Sequence, residues 1–137
     1  MASQDPDEGA DLDPCPVVAV VDDDEAVLRS LRNLLTSAGL RVETFASAEA
    51  FWDSEARHQS CCLVLDMRMP GMNGAELFAR LCASEHPIPT IILTADDDDG
   101  ARRRLLGQGA IAFFTKPYRA AEMLRAVTRV CSKRPPP

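Results

Sequence analysis

The 137-residue chain is 46% hydrophobic and 26% charged, with net charge −6, which is the balance of one globular domain and excludes a disordered, collagen-like or coiled-coil protein. No apolar run nears the ~20 residues of a membrane span, and no basic-then-apolar start marks a secretory signal, so a cytoplasmic protein without membrane contact is expected. Asp5, Asp7, Glu8, Asp11 and Asp13 carry most of the negative charge; the remainder is nearly neutral and lacks the basic excess of a nucleic-acid binder.

In chain order, residues 1–15 are acidic and rich in Pro, Gly and Ala, and read as a disordered tail. Val17 to Val21 is a continuous β-branched run, suited to a strand buried on both faces. Val27, Leu28, Leu31, Leu34, Leu35 and Ala38 follow at helical spacing, and Gly39 stands where that helix should end. Arg41 to Phe45 alternates like a short strand, and 47–56 reads as one short helix capped by Ser47. Cys62 to Leu65 is a buried strand ending at Asp66, followed by the loop Pro70-Gly71-Met72-Asn73-Gly74. Asn73 and Glu76 have the spacing of a capping box, opening a helix with Leu77, Phe78, Leu81 and Cys82 inward. Thr90 to Leu93 is a strand ending at Thr94, and 97–107 a helix. Ile111 to Phe114 is the last strand, just before Lys116, and 119–131 the last helix, with Met123, Leu124, Val127, Val130 and Cys131 on one face. The end, 133–137, is a frayed terminus or the start of a linker.

Cys15, Cys61, Cys62, Cys82 and Cys131 are odd in number, lack CxxC spacing and have apolar neighbours, so buried reduced thiols are expected rather than disulfides or zinc ligands. Cys61-Cys62 reads as core, with nothing else to support a redox role. His58 and His86 have no partner at metal-ligand spacing.

Short apolar strands alternating with amphipathic helices imply an α/β fold, a doubly wound parallel sheet covered on both faces. Ligands of such sheets bind at the C-terminal ends of the strands. That rim collects Asp22-Asp23-Asp24, Asp66, Thr94 and Lys116. Taken alone, the three consecutive aspartates are as readily a solvated turn, with Asp24 a helix cap. Together the carboxylates would repel one another unless a hard divalent cation such as Mg²⁺ joined them. A carboxylate can attack phosphorus and form an acyl phosphate, and phosphoryl transfer needs mainly positioning and charge neutralisation.

VVDDDEAV (20–27), LDMRMPGMNG (65–74), ILTA (92–95) and FFTKPY (113–118), in that order and at those intervals, resemble the receiver domain of two-component response regulators, most closely receivers of the nitrogen-fixation regulator type. Each piece alone is weak; four in order over residues 16–132 are specific. The resemblance implies a single (βα)5 flavodoxin-like domain with strand order 2-1-3-4-5. It implies Asp66 as phosphoacceptor, Asp22, Asp23 and Asp66 with the backbone carbonyl of Arg68 as Mg²⁺ ligands, Thr94 as switch hydroxyl and Lys116 as phosphate-binding lysine. A cis Lys116–Pro117 bond is expected, and Phe113 occupies the place of a rotating Tyr or Phe. Lacking a hydroxyl, Phe113 is easier to bury, and any switch then depends on packing. The donor would be a histidine kinase or phosphotransfer protein. The fourth helix, fifth strand and fifth helix would form the face that changes toward a downstream protein effector, with a homodimer possible on phosphorylation.

Asp96 is a candidate for tuning attack by water from the site mouth, paired with Arg68; Arg102, Arg103 and Arg104 read as a solvated helix face. The alternatives are a phosphate-independent receiver-like interaction module, or the receiver part of a longer DNA-binding regulator. The Met-Ala-Ser start and acidic tail favour a natural single-domain regulator over a fragment. A haloacid-dehalogenase-type hydrolase needs a second Asp where Arg68 stands, and three aspartates after the first strand would repel a flavin phosphate. Such a domain modifies itself rather than turning over a separate substrate.

Overall fold

Five apolar segments pair into one parallel sheet in the computed structural model, which describes residues 17–132 except 70, 86 and 96–98. The strands are β1 (Val17–Val21), β2 (Arg41–Phe45), β3 (Ser60–Asp66), β4 (Thr90–Thr94) and β5 (Ala112–Thr115), in the order β2-β1-β3-β4-β5. The expected 2-1-3-4-5 order is therefore present. The helices are α1 (Glu25–Ser37), α2 (Ala48–Trp52), α3 (Ala56–Gln59), α4 (Gly74–Cys82), α5 (Asp99–Gly107) and α6 (Ala120–Ser132). The expected tail (1–15), the expected end (133–137), His86 and Asp96 lie outside the described residues.

Alternation along each strand divides the core in two. Ala19, Val21, Leu63, Leu65 and Ile92 face Phe51 of α2, Leu77 and Leu81 of α4 and Leu105 of α5. Val18, Val20, Cys62, Val64, Ile91 and Leu93 face Leu28, Leu31 and Leu35 of α1 and Met123, Val127 and Cys131 of α6. Burial on both faces is why these strands read as unbroken apolar runs. Helix entry is set by side chains. Asp24 accepts from the Ala26 N–H at 2.9 Å to cap α1, and Asn73 and Glu76 form the expected capping box of α4 at 2.9 and 3.1 Å. Gly39, at φ +88°, lets the chain leave α1 in the left-handed region.

Three expectations are corrected. The single helix over 47–56 is two short ones: Ser54 Oγ donates to the Phe51 carbonyl at 2.7 Å and Arg57 Nε to the Trp52 carbonyl at 2.9 Å, satisfying the end of α2 with side chains. Ile111 precedes the last strand and is 46% exposed. Cys82 is exposed, because the buried stripe of α4 is Gly74, Leu77, Phe78 and Leu81 and the next position turns away.

Candidate functional site

Four of the five strands, β1, β3, β4 and β5, each deliver a polar group to the C-terminal rim. Asp22 follows β1 and is fully buried; its backbone N–H donates to the Phe45 carbonyl at 3.1 Å, and its carboxylate accepts from the Asp24 N–H at 2.9 Å. Asp66, the last residue of β3, and Thr94, the last of β4, are each 4% exposed. Lys116 follows β5. Its N–H donates to the Thr94 carbonyl at 2.7 Å, one rung beyond the Thr94–Thr115 pair, which fixes the lysine at the rim. Lys116 Nζ lies 3.0 Å from Asp22 Oδ2 and 3.7 Å from Asp66 Oδ1. The Lys116–Pro117 bond is cis.

Asp23 is exposed at the mouth. Carboxylate oxygens of Asp22, Asp23 and Asp66 all lie within 4.8 Å of one another. Arg68 flanks them, its backbone N–H 3.5 Å from Asp66 Oδ1 and its side chain exposed. Burial, then the Asp22 charge, push the Asp66 carboxyl up to about 6, against the opposing pull of Lys116. Burial pulls the Lys116 ammonium down, but the hydrogen bond and charge of Asp22, with Asp66 beyond, more than offset it and leave the ammonium above its ordinary value. A compact set of carboxylate oxygens, one of them made a weaker acid by its neighbours, is the donor set that suits Mg²⁺.

The loop after Asp66 is held from three sides. The Met67 N–H donates to the Leu93 carbonyl at 3.0 Å and the Gly74 N–H to the Met67 carbonyl at 3.1 Å. A Cβ on Gly74 would stand 2.7 Å from Met67 Cα and closer still to the Asp66 carbonyl, so only glycine lets α4 start this close to Asp66. Glu49 of α2 accepts from the Met72 N–H at 2.9 Å, and this bond with Gly71 at φ +75° shapes the turn. The role of Glu49 had no signal in the sequence, since its partner is 23 residues away.

Thr94 and Phe113 line one pocket of about 360 Å³ beside the rim, with Met67, Arg68, Arg104 and Leu105. Phe113 is 8% exposed, and the Arg102 guanidinium lies 5.7 Å over its ring. Arg102 and Arg104 thus border Phe113 and this pocket, beyond the solvated face expected of them. The structure brings together Asp22, Asp23, Asp66 and Lys116 and sets Thr94, Arg68 and Phe113 around them.

Comparison with known proteins follows the same lines. Residues 18–128 match the family described as response regulator receiver domain. The chain is 40% identical over 111 residues to response regulator protein TmoT of Ectopseudomonas mendocina, covering 81% of this chain and 50% of TmoT. It is 40% identical over 101 residues to transcriptional regulatory protein FixJ of Bradyrhizobium diazoefficiens, covering 74% of this chain and 49% of FixJ. A solved response regulator receiver protein from Burkholderia phymatum is 38% identical, with TM-score 0.74 over 88% of this chain and 98% of that one. The chain spans about half the length of the curated relatives it matches. Among the described residues, no helix is long and apolar enough to cross a membrane.

Proposed function

The chain belongs to the response regulator receiver family, and on that premise we propose that it takes a phosphoryl group from a phosphohistidine, on a histidine kinase or phosphotransfer protein, onto Asp66. The observation that carries this reading is the buried Asp66 carboxylate with the Lys116 ammonium 3.7 Å away and two further carboxylates beside it. Asp22, Asp23 and Asp66, with the backbone carbonyl of Arg68, would hold Mg²⁺. That ion, when bound, supplies positive charge for the phosphoryl oxygens.

Asp66 Oδ attacks phosphorus in line, the phosphorus–nitrogen bond breaks with its electron pair going to the imidazole, and an acyl phosphate forms. Lys116 offers a point charge to the incoming oxygens, and the Thr94 hydroxyl donates to one of them. The added charge is about −1.5 to −2. Phosphorylation biases Thr94, and with it Phe113 in the shared pocket, so that the α5–β5–α6 face signals to a protein effector or a second copy of the chain. Water ends the signal by hydrolysing the acyl phosphate, so the reaction is self-modification and its reversal.

The relatives TmoT and FixJ extend well beyond the matched part. We assign no DNA contact to the residues matched here, which carry 12 basic against 16 acidic side chains and so lack a basic excess. Intact mass after incubation with acetyl phosphate and Mg²⁺ tests the proposal. One phosphoryl adduct is expected on the wild type, absent without Mg²⁺ and absent from Asp66→Asn. No adduct on the wild type, or an undiminished adduct on Asp66→Asn, overturns it.

A further inference from the structure

At the opposite end of β3 from Asp66, roughly 16 Å along the strand, Cys61 meets Cys131 of the last turn of α6. Their sulfurs lie 2.9 Å apart, although 70 residues separate them in sequence. Cys61 is half-buried and Cys131 is 7% exposed, at the edge of the apolar layer under α1 and α6. Closing to a disulfide bond length of ~2.05 Å needs the sulfurs to move together by only about 0.9 Å, within reach of small side-chain rotations.

We propose that Cys61 and Cys131 are a reversible modification site, a dithiol that a peroxide converts to a disulfide fastening the end of α6 to the start of β3. The more accessible Cys61 thiolate attacks one peroxide oxygen. The oxygen–oxygen bond breaks, the sulfur is oxidised to a sulfenic acid, and with hydrogen peroxide the other oxygen leaves as water, taking up the thiol's proton. The Cys131 thiolate then attacks the Cys61 sulfur. The sulfur–sulfur bond forms, the sulfur–oxygen bond breaks, and the departing hydroxide leaves as a second water with the Cys131 proton. Two thiols and one peroxide thus become one disulfide and two waters. A thiol reductant reverses the reaction by exchange.

The neighbouring thiols are poor competitors for different reasons. Cys62 is fully buried on the adjacent position of β3, and burial followed by the nearness of Cys61 pushes its thiol up to about 12, which keeps it protonated. Cys82 is exposed on α4, but its sulfhydryl donates to the Gln108 carbonyl at 3.7 Å and desolvation raises its thiol above the ordinary value, which leaves less of it as thiolate. The disulfide would close a loop spanning most of the domain, the case in which a cross-link restrains the unfolded chain most. It also bears on signalling, since α6 belongs to the face assigned to output, but its chemistry does not depend on phosphorylation of Asp66.

The test uses the full chain, reduced, then treated with hydrogen peroxide, alkylated and digested without reductant. The expected product is a monomer lighter by two hydrogen atoms, with the peptide containing Cys61 and Cys62 joined to the peptide containing Cys131. Closure should persist in Cys62→Ser and Cys82→Ser and vanish in Cys61→Ser and Cys131→Ser. The thermal midpoint of the wild type should rise by about 10 °C on oxidation and fall back with dithiothreitol. Linkage through Cys15, Cys62 or Cys82, a covalent dimer, or overoxidation without any link overturns the assignment. A mapped Cys61–Cys131 link with an unchanged midpoint overturns the fastening of α6. Fragmentation of the joined wild-type peptides, which locates the alkylated member of the Cys61–Cys62 pair, decides the pairing even if a serine variant folds poorly.

Discussion

Asp66→Asn removes a charge that its buried position beside Asp22 holds at a cost. Burial and the Asp22 carboxylate raise the Asp66 carboxyl from 3.8 to about 6. Each tenfold weakening of an acid is 1.36 kcal/mol of differential interaction, so the ionised side chain costs the folded state roughly 3 kcal/mol. The sign follows from proton counts. Between about pH 4 and pH 6 the folded chain holds a proton on Asp66 that the unfolded chain has lost, so this group's contribution to stability falls as pH rises through that window and is level outside it. Asparagine keeps the shape and has no proton to lose. The variant should therefore be up to about 3 kcal/mol more stable than the wild type at about pH 7.5, a urea midpoint higher by about 1–2 M. The gap should close toward about pH 3.5, where both side chains are neutral. Urea unfolding of both proteins in chelator, across that pH range, measures the difference directly and cancels the other carboxylates. Adding Mg²⁺ should narrow the gap by stabilising the wild type more. A variant less stable than the wild type at neutral pH, or a gap that does not change with pH, would refute the reasoning that burial and Asp22 set the acidity of Asp66.

Lys116→Met leaves the fully buried Asp22 carboxylate without the ammonium 3.0 Å from it, and should lower stability by about 1–3 kcal/mol in urea unfolding while slowing adduct formation from acetyl phosphate. Gly74→Ala drives a Cβ to 2.7 Å from Met67 Cα; a loss of about 1–3 kcal/mol is expected, with slower phosphorylation because the backbone at and just after Asp66 must shift. Thermal melting and adduct mass measure both effects. Asn73→Ala removes one half of the α4 capping box and should cost about 1 kcal/mol without altering the adduct, which separates helix capping from chemistry at the same end of the helix.

The site was legible because it depends on strand ends alone. An apolar run such as Val17 to Val21 buries every residue on one or other face of the sheet, and in a parallel sheet all such runs finish on one rim. Asp22, Asp66, Thr94 and Lys116 could therefore be brought together from their positions in the sequence, before any distance was known. The readings that failed depend on rotation about an element or on distant partners. Cys82 follows Leu81 on a helix whose buried stripe has ended, and the apolar character of cysteine gave no warning. Residues 47–56 are mostly helix formers interrupted by Asp53 and Ser54, and there the Ser54 and Arg57 side chains turning back on α2 carbonyls divide them. Cys61 and Cys131 looked like separate core positions because the contact that joins them spans 70 residues. The bond from Met72 to Glu49 likewise spans 23 residues and has no periodicity behind it.

The arrangement also explains how a charge added at the rim could reach a surface some distance away. Two carboxylates, Asp22 and Asp66, face the Lys116 ammonium and a third, Asp23, lies beside them, so the site is poised between attraction and repulsion and is sensitive to any new charge. Thr94, whose hydroxyl is expected to meet the phosphoryl group, has its carbonyl bonded to the Lys116 N–H at 2.7 Å and pairs with Thr115 in β5. Ile92, two residues before it, pairs with Phe113. A displacement of Thr94 along β4 is therefore imposed on the strand that carries the buried ring of Phe113 and leads directly into Lys116. Thr94 and Phe113 already share one pocket with Arg104 and Leu105 of α5. Closely packed interiors respond to such a shift by exchanging arrangements rather than by yielding gradually. A bias of a few kcal/mol between two packings of Thr94, Phe113 and α5 is then sufficient to turn a local change of charge at Asp66 into a different outer face.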